Sequence, residues 1–232
     1  MRVATVPVYE EFMANGHNMF IATRLGRTEK QHAATYYNFM APQSGSVIVD
    51  MGSGIGEHGA YFSAFDPTLV VINIVNDEIL IEKMISLGRH CVHTSYTDTK
   101  LPDESVDIVM FNESLGYEPL ADSFKEAFRI LRPNGEVVIK DFSITDPKIS
   151  AFELDKWGYS IRKDYEIIKA AEDAGLSLLA LFHPTYYMQH WDDLHAANEH
   201  VEASVKLHHP SELPLCTSLI KFKKGTLNGR AD

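Results

Sequence analysis

Hydrophobic and polar positions along this chain follow two alternating periods. Short apolar runs at 47–50, 69–74, 90–93, 106–111, 135–142, 176–182 and 216–222 predict strands. Between them, apolar residues at helical spacing predict helices at about 57–65, 77–87, 119–131 and 163–174, and a polar helix around 189–206. Strands separated by helices imply βαβ units, a parallel sheet and an α/β, doubly wound fold. Leu131-Arg132-Pro133-Asn134-Gly135 reads as a helix end turning into the apolar run Val137-Val138-Ile139, with Gly135 at the place where a positive backbone angle is cheap. Residues 143–161 read as an irregular insert.

Ahead of the first strand, residues 8–41 carry spaced apolar and aromatic positions, among them Tyr9, Phe12, Met19, Leu25, Tyr36, Tyr37 and Met40. They predict two helical segments broken near Gly16 and Gly26, read as a lid over the site at the strand ends. The expected organisation is a helical lid over 1–41 and a single globular domain over 42–232.

The run Val47-Ile48-Val49-Asp50 leads into Met51-Gly52-Ser53-Gly54-Ile55-Gly56, a strand that delivers a nucleotide-like ligand onto a glycine turn. Read as Gly54-Ile55-Gly56-Glu57-His58-Gly59, the segment matches a dinucleotide fingerprint. A pyrophosphate would, however, meet the negative charge of Asp50 and Glu57. A cofactor that carries a cation removes that conflict.

At this point the sequence resembles the class I S-adenosylmethionine-dependent methyltransferases, over about residues 30 to 145. The resemblance implies a Rossmann-like, mostly parallel seven-stranded sheet with helices on both faces, ended by an antiparallel strand. In an open parallel sheet the ligand sits beyond the carboxyl ends of the strands, so four loops should converge: Asp50 to Gly56, Asn73 to Asn76, Ser95 to Asp98 and Asn112 to Tyr117. The resemblance implies S-adenosylmethionine held by Asp50, Gly52, Ser53, Gly54, Gly56, Asn73, Ile74, Thr97, Asp98 and Asn112. Most relatives place Asp or Glu on the ribose hydroxyls; here Asn73 stands at that position, and an amide also pairs with a hydroxyl. Thr97 and Asp98 together are the candidates for the adenine amino group.

On the acceptor side, Phe111-Asn112-Glu113-Ser114-Leu115-Gly116-Tyr117 puts a carboxylate directly after a buried-looking strand. It resembles the Asn-Glu-Ser motif of geranyl diphosphate C-methyltransferases and, more loosely, the Glu-containing loop of cyclopropane-fatty-acid synthases. That resemblance implies methyl transfer to an alkene, with Glu113 stabilising and then deprotonating a carbocation, and Tyr117 beside it. Later aromatic residues are candidates for the walls of an apolar acceptor pocket: Phe142, Phe152, Tyr165, Phe182 and Trp191, with Trp157, Tyr159, Tyr186, Tyr187 and, from the lid, Tyr36 as substrate-binding residues. A diphosphate acceptor would need cations, for which Arg24, Arg27, Lys30 and His32 are available, with Mg2+ as a bridge. N- or O-methylation of a small metabolite is the alternative chemistry, and a non-catalytic S-adenosylmethionine-binding protein the alternative class.

Composition sets the remaining bounds. A formal charge of −11 over 232 residues argues against wrapping a nucleic-acid backbone. Neither an Asn-Pro-Pro-aromatic tetrad after the fourth strand nor a Pro-Cys nucleophile is present. With two cysteines, Cys91 and Cys216, and no apolar stretch of membrane-spanning length, a cytoplasmic address, a small-molecule partner and no membrane are expected, with homo-oligomerisation left open. His190, His195 and His200 recur every five residues, which does not align a metal pair on a helix, so no metal site is assigned among the histidines.

Overall fold

The computed structural model describes residues 29–144, 148, 152–154, 158–183 and 215–225. The first described element, helix α1 (Glu29–Met40), leads into strand β1 (Val47–Met51) and helix α2 (Glu57–Phe65). Strand β2 (Val70–Val75) and helix α3 (Glu78–Ser86) follow, the helix started by Asp77, whose side chain accepts the amides of Ile79 and Leu80. Strands β3 (Val92–His93) and β4 (Val106–Asn112) come next, then a 3-10 turn at Leu115–Tyr117 and helix α4 (Leu120–Ile130). The chain continues through β5 (Leu131–Ile144), β6 (Phe152–Leu154), β7 (Tyr159–Ile161), helix α5 (Asp164–Asp173), β8 (Leu176–Phe182) and β9 (Leu215–Lys224).

Seven of the strands form one sheet in the order β3-β2-β1-β4-β5-β9-β8. Neighbours from β3 to β5 run parallel, whereas β9 runs antiparallel to both β5 and β8. The expected mostly parallel sheet with an antiparallel closing strand is therefore present. From β1 through β5 both faces are covered, which is why those strands read as nearly continuous apolar runs. Ile48, Met110 and Val138 pack with Ala33, Tyr36 and Met40 of α1 and Phe62 of α2. Val49, Phe111 and Ile139 face the other way, onto Phe124 of α4 and Ile167 of α5.

Several details depart from the sequence reading. The positive backbone angle at the α4–β5 junction belongs to Asn134 (φ 67°), not Gly135. Gly135 is required for closeness: a Cβ there would lie 2.9 Å from the carbonyl oxygen of Arg132 and 3.0 Å from that of Asp107. The region expected to be irregular contains the two-stranded antiparallel sheet of β6 and β7. The described end of the expected lid, α1, is part of the core: Lys221 Nζ of β9 reaches the Met40 carbonyl at 3.0 Å. Residues 1–28 and the expected helix at 189–206 lie outside the described residues.

Candidate functional site

Asp50 sits near the carboxyl end of β1, in register with Asn73 of β2 and Met110 of β4. Beyond it the chain turns through Gly52, Gly54 and Gly56, all in the left-handed region (φ 75°, 58° and 72°). The amides of Gly52 and Ser53 both donate to the Ile74 carbonyl at 3.1 Å, so Ile74 holds the turn through its backbone. A Cβ on Gly52 would lie 2.9 Å from Ser114 Cβ, whereas one on Gly54 would meet nothing within 4 Å. Gly52 is thus needed for packing, and Gly54 keeps the open face of the turn bare. Gly56 starts α2 with no side-chain cap, which leaves the helix N-terminus free of a competing side chain. Gly59 brings α2 against β2, since its Cβ would come within 2.9 Å of Val71 Cγ1.

Among the described residues, four buried polar atoms around this turn have no hydrogen-bond partner: Asp50 Oδ1, Ser53 Oγ, Asn73 Oδ1 and Asn112 Oδ1. Buried acceptors left so are costly, and a ligand bearing an ammonium and hydroxyls would satisfy them. Asp50 is 2% exposed, and burial pushes its carboxyl up to about 8. Near neutral pH it carries its charge only against a cation. Asn73 donates its amide to the His90 carbonyl at 2.9 Å, which leaves its oxygen beside Gly56 and Gly59. Asn112 Nδ2 faces His58 Nδ1 at 3.3 Å, so the ring nitrogen accepts and the amide oxygen is the atom left over.

Between β3 and β4 the register differs from the sequence expectation. Tyr96, not Thr97 or Asp98, is the inward residue: buried, it donates its hydroxyl to the Ser114 carbonyl at 2.8 Å and touches Gly52. Burial pushes its phenol well above the usual range. Thr97 is half-buried, its hydroxyl sharing a hydrogen bond of 2.8 Å with Ser95. Asp98 is exposed and pairs with Lys100, so the structure does not bring its carboxylate into the crevice. The physical reason is partition: a large aromatic ring gains more from burial than a carboxylate that finds a lysine in water.

At the end of β4, Glu113 adopts the left-handed region (φ 53°), rarely occupied by a side-chain-bearing residue. Its amide donates to the Lys140 carbonyl at 2.8 Å and its carboxylate pairs with Lys140 Nζ. The turn that follows is held from both sides. Ser114 Oγ donates to the Met51 carbonyl, and the Leu115 amide donates to Asp141 Oδ2 at 3.1 Å. Asp141 also accepts the Phe142 amide at 2.7 Å and the Tyr159 hydroxyl. Burial, reinforced by the Glu113 charge, pushes the Asp141 carboxyl up to about 6, against the pull of the Tyr159 and amide donors. Gly116 permits this approach, since a Cβ there would lie 2.5 Å from the Ser160 carbonyl oxygen and 2.6 Å from the Tyr159 ring. Tyr117 stands edge-on to Tyr159, ring centroids 4.7 Å apart.

Other expected acceptor-side residues are distributed differently. Tyr36 is buried, and its hydroxyl reaches the carbonyls of Val138 (2.8 Å) and Phe111 (3.1 Å), tying α1 to β4 and β5 rather than presenting a wall. Tyr159 is likewise buried and acts through Asp141 and Tyr117. Lys30 is exposed, while His32 is buried, its ring 5.4 Å from that of His58. Phe142 packs with Tyr159 and Ile161, whereas Tyr165 and Phe182 are exposed. Arg24, Arg27, Trp157, Tyr186 and Tyr187 lie outside the described residues. The sequence reading missed Lys140, Asp141, Tyr96 and His58. A signal existed for the first two, because two adjacent charges interrupt the apolar run of β5. Among the described residues no cluster of three or more His, Cys, Asp or Glu is placed to hold a metal, and no helix is long and apolar enough to cross a membrane.

Residues 49–139 match the protein family described as "Methyltransferase domain", a span that includes the glycine turn, Asn73 and the Asn112–Tyr117 loop. No curated protein matches the chain. Among solved structures, the chain is similar to a geranyl diphosphate methyltransferase in complex with S-adenosylmethionine: 20% identity, TM-score 0.73, covering 88% of this chain and 90% of that one. It is similar to geranyl diphosphate C-methyltransferase from Streptomyces coelicolor A3(2), in complex with Mg2+, geranyl diphosphate and S-adenosyl-L-homocysteine, at 18% identity and TM-score 0.72, covering 84% and 80%. The [4+2]-cyclase SpnF matches as well, at 14% identity and TM-score 0.72, covering 85% and 82%. At these identities the likeness is one of fold, and the cyclase shows that the fold alone does not set the reaction. The methyltransferase-domain match covers residues 49–139 and falls on the strands and the glycine turn that carry the resemblance to class I S-adenosylmethionine-dependent methyltransferases.

Proposed function

We propose that the enzyme methylates carbon on an apolar acceptor of the prenyl diphosphate kind, with Glu113 as counter-ion and base. The observation that carries this reading is the carboxylate held in strained backbone at the end of β4, at the start of the loop that also carries Tyr117. The names of the geranyl diphosphate enzymes of like fold point the same way.

On the cofactor side, Asp50 would face the ammonium of S-adenosylmethionine, and Asn73 Oδ1 a ribose hydroxyl. The backbone of Gly52, Ser53, Gly54 and Gly56 would lie along the methionine portion, with Asn112 at its reactive end and Thr97 toward the adenine. When bound, S-adenosylmethionine supplies a methyl group already activated for attack. The enzyme's own part is then mainly positioning and electrostatics. The alkene's π pair would become the new carbon–carbon bond as the methyl's bond to sulfur breaks, its pair staying on the departing S-adenosylhomocysteine, and the adjacent carbon would be left cationic. Glu113 faces that cation and takes a proton from its neighbouring carbon, which restores the double bond. Arg24 and Arg27, with Mg2+ where required, are the candidates for a diphosphate.

The test is calorimetric titration of S-adenosylmethionine and S-adenosylhomocysteine into wild type and Asp50→Ala, followed by a labelled-methyl screen. Isopentenyl, geranyl and farnesyl diphosphates are offered with and without Mg2+. Binding lost in the variant, with label transferred to a prenyl carbon and lost by about 100-fold or more in Glu113→Gln, is the expected outcome. Binding with label on nitrogen or oxygen of some other metabolite, and none on a prenyl carbon, would overturn the carbon-acceptor reading and keep the cofactor assignment.

A further inference from the structure

We infer that Lys140 is a positioning residue of the acceptor site, one that fixes Glu113 with its carboxylate toward the crevice. This rests on the proposed role of Glu113. A lysine that is 2% exposed within a sheet needs a partner, because lysine is among the residues least tolerant of burial. The register supplies one: Lys140 of β5 pairs with Asn112 of β4, so the residue after Asn112 arrives directly over the lysine. Both halves of Lys140 hold Glu113, the carbonyl through the Glu113 amide and the ammonium through the carboxylate.

The exposures set the orientation of the pair. The ammonium is sealed in the sheet, whereas the Glu113 side chain is 18% exposed, so the negative end is the one offered to a ligand. Asp141 does not compete for the lysine, since successive strand residues point to opposite faces and Asp141 is engaged by Leu115, Phe142 and Tyr159. Glu113 occupies a backbone region that side-chain-bearing residues avoid, so it requires outside contacts to stay there. A charged group preset in this way needs no reorganisation when a cation forms on the acceptor. A buried pair gives little net stability over an apolar one, which argues that this one is kept for placement.

Two measurements test the inference. In amide hydrogen exchange, Lys140→Met is expected to speed exchange of residues 113–117 by about tenfold or more, with β1 amides unchanged and Lys140→Arg close to wild type. If the 113–117 amides exchange in Lys140→Met as in wild type, the inference is overturned, whatever the acceptor. The second is a kinetic cycle with geranyl diphosphate and Mg2+ over wild type, Glu113→Gln, Lys140→Met and the double variant. Lys140→Met should lower kcat by about tenfold or more, leave the affinity for S-adenosylmethionine within about twofold, and add nothing once Glu113 is Gln. Multiplying losses in the double variant would instead show two independent roles and overturn the inference. Should Glu113→Gln retain wild-type kcat while the exchange result holds, the reading of Glu113 as base fails and the placement by Lys140 stands. The double variant and Lys140→Arg serve also where Lys140→Met alone leaves an uncompensated buried charge and fails to fold.

Discussion

Binding of S-adenosylmethionine between pH 6 and 7 should release nearly one proton from the enzyme, and Asp50→Asn should abolish the release. In the ligand-free fold burial holds the Asp50 carboxyl at about 8. A group titrating there is about 99% protonated at pH 6 and about 90% at pH 7. A ligand ammonium placed against it favours the carboxylate, so the proton leaves as the ligand arrives. The ligand's own amine stays charged in this window, since α-amino groups titrate near 8 or just below. Proton competition then makes the apparent affinity about ninefold weaker at pH 6 than at pH 7. Calorimetry in two buffers of different ionisation enthalpy measures both quantities, and S-adenosylhomocysteine, with the same amino group, should behave alike. No proton release and a flat affinity in wild type would refute the placement of the ammonium at Asp50. The same shift has a stability consequence whose sign is fixed. The unfolded chain gives up this proton near 3.8 and the fold keeps it to about 8, so Asp50 makes the ligand-free protein less stable as pH rises between those values. Thermal melts of Asp50→Asn should lack that contribution.

The glycines of the turn should separate stability from binding. Gly52→Ala forces a Cβ to within 2.9 Å of Ser114 Cβ and should lower the melting temperature clearly, whereas Gly54→Ala meets open space and should cost only the strain of its positive angle, about 1–2 kcal/mol. Calorimetry should nevertheless find Gly54→Ala weakened by at least about tenfold for S-adenosylmethionine, because its methyl occupies the face where the backbone must approach a ligand; wild-type affinity would contradict that reading. Tyr159→Phe removes a donor from the buried Asp141 carboxylate and should destabilise the fold by about 1–3 kcal/mol in denaturant melts. Tyr36→Phe should cost about 0.5–1.5 kcal/mol through the carbonyls of Val138 and Phe111 and leave acceptor selectivity unchanged. A change in the range of acceptors would restore Tyr36 as a pocket wall.

What the chain disclosed about itself depended on how local each cause was. The strand runs, the glycine turn and the closing strand are dictated by residues near one another in sequence, and they appear within a few residues of the expected bounds. The acidic end of β1 was legible for the same reason, although its raised carboxyl was not, because its burial comes from elements distant in sequence, with β2 and β4 on either side and Tyr36 of α1 nearby. Which residue of the loop after β3 points inward was not legible, because nothing local ranks Tyr96, Thr97 and Asp98 until Ser114, 18 positions later, supplies the carbonyl that selects Tyr96. Glu113 was picked out as a candidate because a carboxylate after an apolar strand is anomalous by itself. Its partner was not, because the pairing depends on a β4–β5 register interrupted between Val106 and Ile108. That interruption follows from α4 running directly into β5 at Leu131, with Asn134 and Gly135 absorbing the excess chain. A one-residue slip there would place Asp141 rather than Lys140 beneath Glu113 and set two carboxylates against each other. The short junction between α4 and β5 therefore governs which charge lies beneath Glu113 from a distance, which ties the proposed chemistry to a turn outside the proposed site.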